Sequence, residues 1–396
     1  PEAVDLPADL EGQEVADPDG AESGGADPGI TEPDDAPEVL GDSVPADGEV
    51  EESAVSVEPL AVVRRDHAVG GEHVCILSGG TVRCRGANDR GQSRGTGAGP
   101  LRSLVAGLSH TCGLDDAGAA VCWGGNESGQ LGDGSRSDGA RARPVQGELR
   151  FAMLAAGVYH TCGLDRAGRI HCWGGNPDGQ LGDGTRDDHS EPGLVESSAV
   201  FRSVVAGWNH TCGLEITGGV LCWGSNDDGQ LGDGSRRERP SPVRVPGTFS
   251  ALAAGSAHTC GIRGGRALCW GDNSFGQLGD GTTTSRSRPV AVPNLGDGVV
   301  EITAGAMHTC ALLEGGTLYC WGQNLRGELG DGTTQDRVRP TLVAGRLAFR
   351  SVKAGGAATC AFSTDGSEYC WGQNRSGQLG DGSRTDRAVP TRVVSR

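Results

Sequence analysis

From about residue 59 onward the chain alternates between short apolar runs and polar, glycine-rich breaks, and the alternation repeats. An apolar run such as Phe201-Arg-Ser-Val-Val-Ala-Gly is followed by two variable residues and then by His-Thr-Cys212. A hairpin comes next, then a polar loop, then a run of the type Pro-x-x-Val, as at Pro340-Thr-Leu-Val343. Runs this short, broken by turn residues, predict strands, four to a copy. Four short strands recurring at a period near fifty residues predict the blades of a propeller. Seven copies predict an all-β, seven-bladed β-propeller.

Cysteine sharpens the pattern. Cys75, Cys112, Cys162, Cys212, Cys260, Cys310 and Cys360 advance by 37, 50, 50, 48, 50 and 50 residues. Their partners Cys84, Cys122, Cys172, Cys222, Cys269, Cys320 and Cys370 follow after 9 or 10 residues, which accounts for all fourteen. In the two copies with the shorter spacing, Gly79-Gly80 and Gly264-Gly265 supply a two-residue hairpin turn that leaves the cysteines opposed. The other five place Gly118, Gly168, Gly218, Gly316 or Gly366 third in a three-residue loop, where a bulged turn requires the left-handed conformation. Opposed strand residues lie ~4.5–5.5 Å apart at Cα, within reach of a disulfide. One bridge inside each repeat is expected, with the protein outside the reducing cytoplasm. In the chain-entropy model each such loop contributes roughly 2–3 kcal/mol. A lone Cys pair supplies too few thiolates for structural zinc.

Composition separates two regions. The chain has 52 Asp and Glu against 34 Lys and Arg, a net charge of −18, but 19 of the acids and none of the bases lie in residues 1–58. The remainder carries 33 acids and 34 bases and is close to neutral. Residues 1–58 contain no aromatic residue and are rich in Ala, Pro, Gly, Asp and Glu, a composition that cannot offset chain entropy by burial. They are expected to form a disordered acidic arm before a propeller spanning 59–396. The arm reads either as a solvated tether, following a signal or anchor upstream of Pro1, or as an extension without a specific role. No apolar stretch approaches the ~18 residues of a membrane span.

The blocks Ala-Gly-x-x-His-Thr-Cys and Cys-Trp-Gly-x-Asn-x-x-Gly-Gln-Leu-Gly-Asp-Gly, the latter seen from Cys172 to Gly184, resemble the regulator of chromosome condensation repeat over roughly residues 59–396. The resemblance, here to a bacterial secreted or cell-surface type, implies a seven-bladed β-propeller. The first copy departs from it. Cys84-Arg85-Gly86 replaces Cys-Trp-Gly, and the long loop and last strand are missing, so blade one is expected to be short, about residues 59–100. How the ring joins there is not legible.

The repeated chemistry reads as structural. His73, His110, His160, His210, His258 and His308 hold the same place in six blades, and copy seven has Ala358. Symmetry spreads them around a ring, whereas a catalytic site needs different groups converging. Asp133, Asp183, Asp233, Asp280, Asp331 and Asp381 are expected to bond their own Gly-Asp-Gly turns, since one carboxylate per turn is too few for calcium. Trp123, Trp173, Trp223, Trp270, Trp321 and Trp371 are expected to pack between blades. Thirteen arginines in the following loops (among them Arg136, Arg143, Arg186, Arg239 and Arg387) read as a solvated rim mixed with acids. No nucleotide, nucleophile-elbow or zinc-protease motif is present. No enzyme and no cofactor are expected.

In similar propellers the two residues between Ala-Gly and His-Thr surround the central opening on one face. Here they include Leu108, Val158, Tyr159, Trp208, Asn209 and Met307, an apolar and aromatic arc of the type that binds partners. The expectation is a non-enzymatic secreted or cell-surface binding propeller that recognises a protein or a glycan through that face. An alternative is a protein inhibitor of a secreted hydrolase, because the chain also resembles the propeller-type β-lactamase inhibitors. Guanine-nucleotide exchange with chromatin binding, the role of the family's eukaryotic namesake, fits less well. Nucleic acid wants a basic tail and this one is acidic.

Overall fold

The hairpins around the cysteines form as their glycines predict. In the computed structural model, which describes residues 65–94 and 97–394, Gly79-Gly80 and Gly264-Gly265 turn with positive φ. The third-place glycines of the five longer loops have φ of 79° to 89°. Both geometries put the cysteines directly opposite, as in Cys75↔Cys84 and Cys212↔Cys222. All seven pairs are disulfides, with Cα atoms 4.0–4.1 Å apart. That is closer than the expected ~4.5–5.5 Å, because the cysteines occupy the close, non-hydrogen-bonded type of strand pair. The acidic arm and the first residues assigned to blade one, up to residue 64, lie outside the described residues.

Among the described residues there are seven antiparallel sheets, six of four strands and one of three. Each is a meander drawn from one continuous stretch. Blade four, for example, comprises Phe201–Ala206, His210–Glu215, Val220–Gly224 and Arg239–Val245. The first strand of each blade touches the first strands of its neighbours, and Arg65–Val69 of blade one meets Phe349–Gly355 of blade seven. The first strands therefore line the centre and the ring closes. Second strands such as His210–Glu215 are buried along their whole length because blades cover both sheet faces.

Seven apolar clusters lie between adjacent blades. The cluster between blades two and three joins the Cys112–Cys122 bridge and Leu131 to Phe151, Leu154 and Trp173 of the next blade. The repeated tryptophans are 0 % exposed in these seams. Among the described residues a glycine covers five of the six, Trp123 being the exception: a Cβ on Gly182 would stand 2.6 Å from Trp223 Nε1. Removing such an indole would cost about 3–5 kcal/mol.

Blade one, with strands Arg65–Val69, His73–Ser78 and Thr81–Gly86, has no fourth strand among the described residues. The departures of the first copy from the repeat are what join it to blade seven. Arg85 takes the place of the missing tryptophan. Its Nε donates to the Gln378 carbonyl at 2.8 Å, the acceptor that tryptophan uses elsewhere, and Gly380 covers it as the equivalent glycines cover indoles. A second nitrogen of Arg85 meets Glu368 at 2.7 Å. His67 approaches the same carboxylate at 3.2 Å and stacks on Phe362.

Candidate binding face

In blades two to six the first strand turns into the second through Ala-Gly-x-x-His; blade one has Val69 for the alanine and blade seven Ala358 for the histidine. The turn closes when the glycine amide donates to the histidine carbonyl, as Gly207 does to His210 at 2.8 Å. Below the turn the histidine is locked. The Nε2 of His73, His110, His160, His210, His258 and His308 lies 2.8–3.0 Å from the hydroxyl of Thr111, Thr161, Thr211, Thr259, Thr309 and Thr359 in the next blade. Each of these hydroxyls gives its only proton to a carbonyl of the preceding blade, Thr211 to Gln180 at 2.9 Å for instance. The threonine can then only accept, so histidine donates from Nε2. Burial holds all six imidazoles far below their usual value, to about 3 or 4, and neutral. These residues are 0–1 % exposed and cannot reach a ligand.

The tryptophans share the carbonyls: Trp223 Nε1 also donates to Gln180. The Gly-Asp-Gly aspartates bond their own turns, as Asp133 accepts from the amide and hydroxyl of Ser135 at 3.0 and 2.8 Å. They also hold the rim. Arg143, Arg239, Arg286, Arg337 and Arg387 pair with Asp133, Asp233, Asp280, Asp331 and Asp381, and in blade three His189 does so with Asp183. The regularity of these pairs was missed from the sequence, although arginine recurs six to ten residues after the aspartate.

The two variable turn residues separate into rows. The first member lines the mouth of a central cavity of about 140 Å³, where Leu108, Val158, Trp208 and Ala306 stand among the Ala-Gly pairs. Backbone bonds tie this row from blade to blade: Val158 N to Trp208 O at 3.2 Å, Ser256 N to Ala306 O at 3.0 Å, Ala306 N to Gly356 O at 2.8 Å. Leu108 and Trp208 are 38 % and 43 % exposed, but Val158 is 7 % exposed and belongs to the wall of the mouth, not to its surface. The second member sits outside the lining. Tyr159 is 40 % exposed there, Asn209 and Met307 are half-buried, and Met307 does not line the opening as the sequence reading had it. The structure thus brings Leu108, Tyr159, Trp208 and Asn209 together on blades two to four and leaves Met307 apart.

The loops after the third strands open on the same face, and their variable pairs were not singled out from the sequence. Asp178 precedes Gly-Gln-Leu in blade three, and Asp227-Asp228 and Ser274-Phe275 hold the variable places in blades four and five. Burial first, and then the Glu238 charge, pushes the Asp178 carboxyl up against a hydrogen bond from Asn209. Burial and then Asp272 push Asp228 up.

A ring of seven blades, with His-Thr-Cys in blades two to six and Gly-Gln-Leu-Gly-Asp-Gly, or Glu328 for the glutamine in blade six, in blades two to seven, is also what comparison finds. A family model of the RCC1-like domain matches residues 96–396. The chain belongs to this family. Among similar folds, Prp20p of Saccharomyces cerevisiae, a protein characterised for its binding to Gsp1p and histones, has a TM-score of 0.70 at 23 % identity, over 84 % of this chain and 88 % of that one. The ectodomain of the receptor kinase CR4 of Physcomitrella patens has a TM-score of 0.53 at 23 % identity, over 78 % and 73 %. A 50-residue stretch of this RCC1-like chain is 42 % identical to the human E3 ubiquitin-protein ligase HERC2. That stretch is 13 % of this chain and 1 % of HERC2.

Proposed function

We propose that this RCC1-like propeller is a non-enzymatic binding protein of an oxidising, extracytoplasmic compartment, and that it engages a protein partner through the channel-mouth face. The observation that carries the reading is Trp208. Six of the seven tryptophans are 0 % exposed in the seams, whereas Trp208 is 43 % exposed beside Tyr159 and Leu108 on a face tied together by backbone bonds. Large rigid aromatics on a fixed frame supply contact area at little entropic cost. Seven disulfides and no free cysteine among the described residues support the compartment. Engagement of the repeated histidines and aspartates in structural bonds supports a role without catalysis. Inhibition of a secreted hydrolase would be one form of such binding.

The test is a photo-reactive benzophenone amino acid at Tyr159 or, in the hairpin at the opposite end of the blade, at Ile216, with irradiation in the medium or envelope of the producing cells. One partner identified by mass at Tyr159, absent at Ile216 and lost on Trp208→Ala, is expected. Equal labelling at both positions, or none at Tyr159, would sink the proposal.

A further inference from the structure

The face is polarised. Around most of the ring an arginine of one loop neutralises an acid of the next. Arg90 meets Glu127 and Asp138, Arg136 meets Asp188, Arg186 meets Glu238, and Arg326 meets Asp386. The acids at the loop tips of blades three to five stand outside this pairing. Among the described residues no Lys, Arg or His nitrogen forms an ion pair with Asp178, Asp227, Asp228 or Asp272. The nearby arginines are committed elsewhere, Arg186 to Glu238 and the Pro177 carbonyl, and Arg236 to the Asp227 carbonyl at 3.0 Å. In blade five Ser285 stands where blades two, three, four, six and seven place an acid, so Arg236 has no carboxylate across that seam. Burial raises the carboxyls of Asp178 and Asp228 first, and neighbouring acids add to it, Glu238 and Asp227 at Asp178 and Asp272 and Asp227 at Asp228.

These carboxylates flank the aromatics. The turns of Tyr159 and Trp208 are joined by the Val158 to Trp208 bond, and Asn209, next to Trp208, bonds Asp178. Phe275 follows on blade five, half-buried. Two exposed aromatic rings beside unpaired carboxylates form a surface complementary to a cation with a flat, weakly hydrated face.

We propose that the partner, on the reading of the face given above, presents an arginine-bearing loop that stacks on Trp208 and Tyr159 and pairs with Asp178, Asp227 and Asp228. At the same loop positions blades six and seven carry Arg326 and Arg375, so the partner's basic segment lies over blades three to five and not over six and seven.

Trp208 reports directly, because acrylamide reaches it and not the six buried indoles; Trp208→Phe assigns the signal. Three Gly-Ser peptides carrying arginine, leucine or glutamate are titrated onto the whole chain and read by its emission and quenching. The arginine peptide should saturate, bind at least about tenfold tighter than either of the others, and weaken about tenfold between about 0.05 and 0.5 M NaCl. It should weaken as much in Asp178→Asn/Asp227→Asn/Asp228→Asn, whose surface changes leave the melting curve in place. Binding of the arginine peptide that ignores the triple variant, tighter binding of the leucine or glutamate peptide, or no saturation overturns the proposal. If the arginine peptide fails while Tyr159 still cross-links its partner, the face binds by other chemistry. If both fail, the face reading falls with it.

Discussion

One threonine hydroxyl fixes the state of a histidine at each of six blade junctions, and the seventh junction shows what happens when both are removed together. There Ala358 replaces the histidine and Val74 the threonine, both buried in one apolar cluster. Losing one partner leaves a buried polar group unpaired, at about 1–3 kcal/mol, while losing both can be nearly neutral. His308→Ala should therefore destabilise by that amount. His308→Ala combined with Thr359→Val should cost clearly less than the two single changes together, and a thermal-unfolding cycle that came out additive would contradict the pairing. Glu328 makes a second residue-scale case. It stands where the other six blades have glutamine, with Oε2 accepting the Arg326 amide at 2.7 Å and Oε1 buried without a partner. Burial raises its carboxyl to about 7 from an ordinary 4.5. Between those values the folded chain keeps a proton that the unfolded chain has released, so stability falls as pH rises through that window. Glu328→Gln should stabilise the fold at pH 8, by on the order of 3 kcal/mol, with the gain, read from thermal or denaturant unfolding, shrinking towards pH 4.5. A gain that does not vary with pH would show that the carboxyl is not neutral in the fold.

Elements were largely legible in the sequence because each depends on neighbours a few residues away. Gly79-Gly80 and Gly118 announce their turns through the positive φ those turns demand, and turn length then dictates which residues face each other. The pairing of Cys75 with Cys84 followed from that alone. The same strand shows a weak point. Thr81–Gly86 carries no fourth strand among the described residues, and Cys84 is the one cysteine of the fourteen that is not fully buried. Exchange requires access to sulfur. Graded dithiothreitol followed by alkylation and peptide mapping should open Cys75–Cys84 at least about tenfold faster than the other six bridges. Simultaneous opening of all seven, or opening of another blade first, would contradict that order.

The whole ring was less legible. Arg85 reads as a damaged copy of Cys-Trp-Gly until blade seven is placed beside it, since Arg85 and Gln378 are 293 positions apart. Val158 has the composition of a contact residue and is covered by its neighbours, while Asp178 and Asp228 become notable only once Trp208 and Asn209 are seen on the adjoining blade. At this scale the molecule is seven similar sheets, each closed by its own bridge, with six junctions bonded through histidine, threonine and tryptophan and the seventh through Arg85, and with one face left aromatic and acidic. That account depends on every blade being oxidised within itself. The most direct measurement is a disulfide map, by non-reducing mass spectrometry and peptide analysis, of the protein recovered from the cells that produce it. The account predicts seven bridges, Cys75–Cys84 through Cys360–Cys370, all within blades. Free thiols throughout, or bridges between blades, would contradict it.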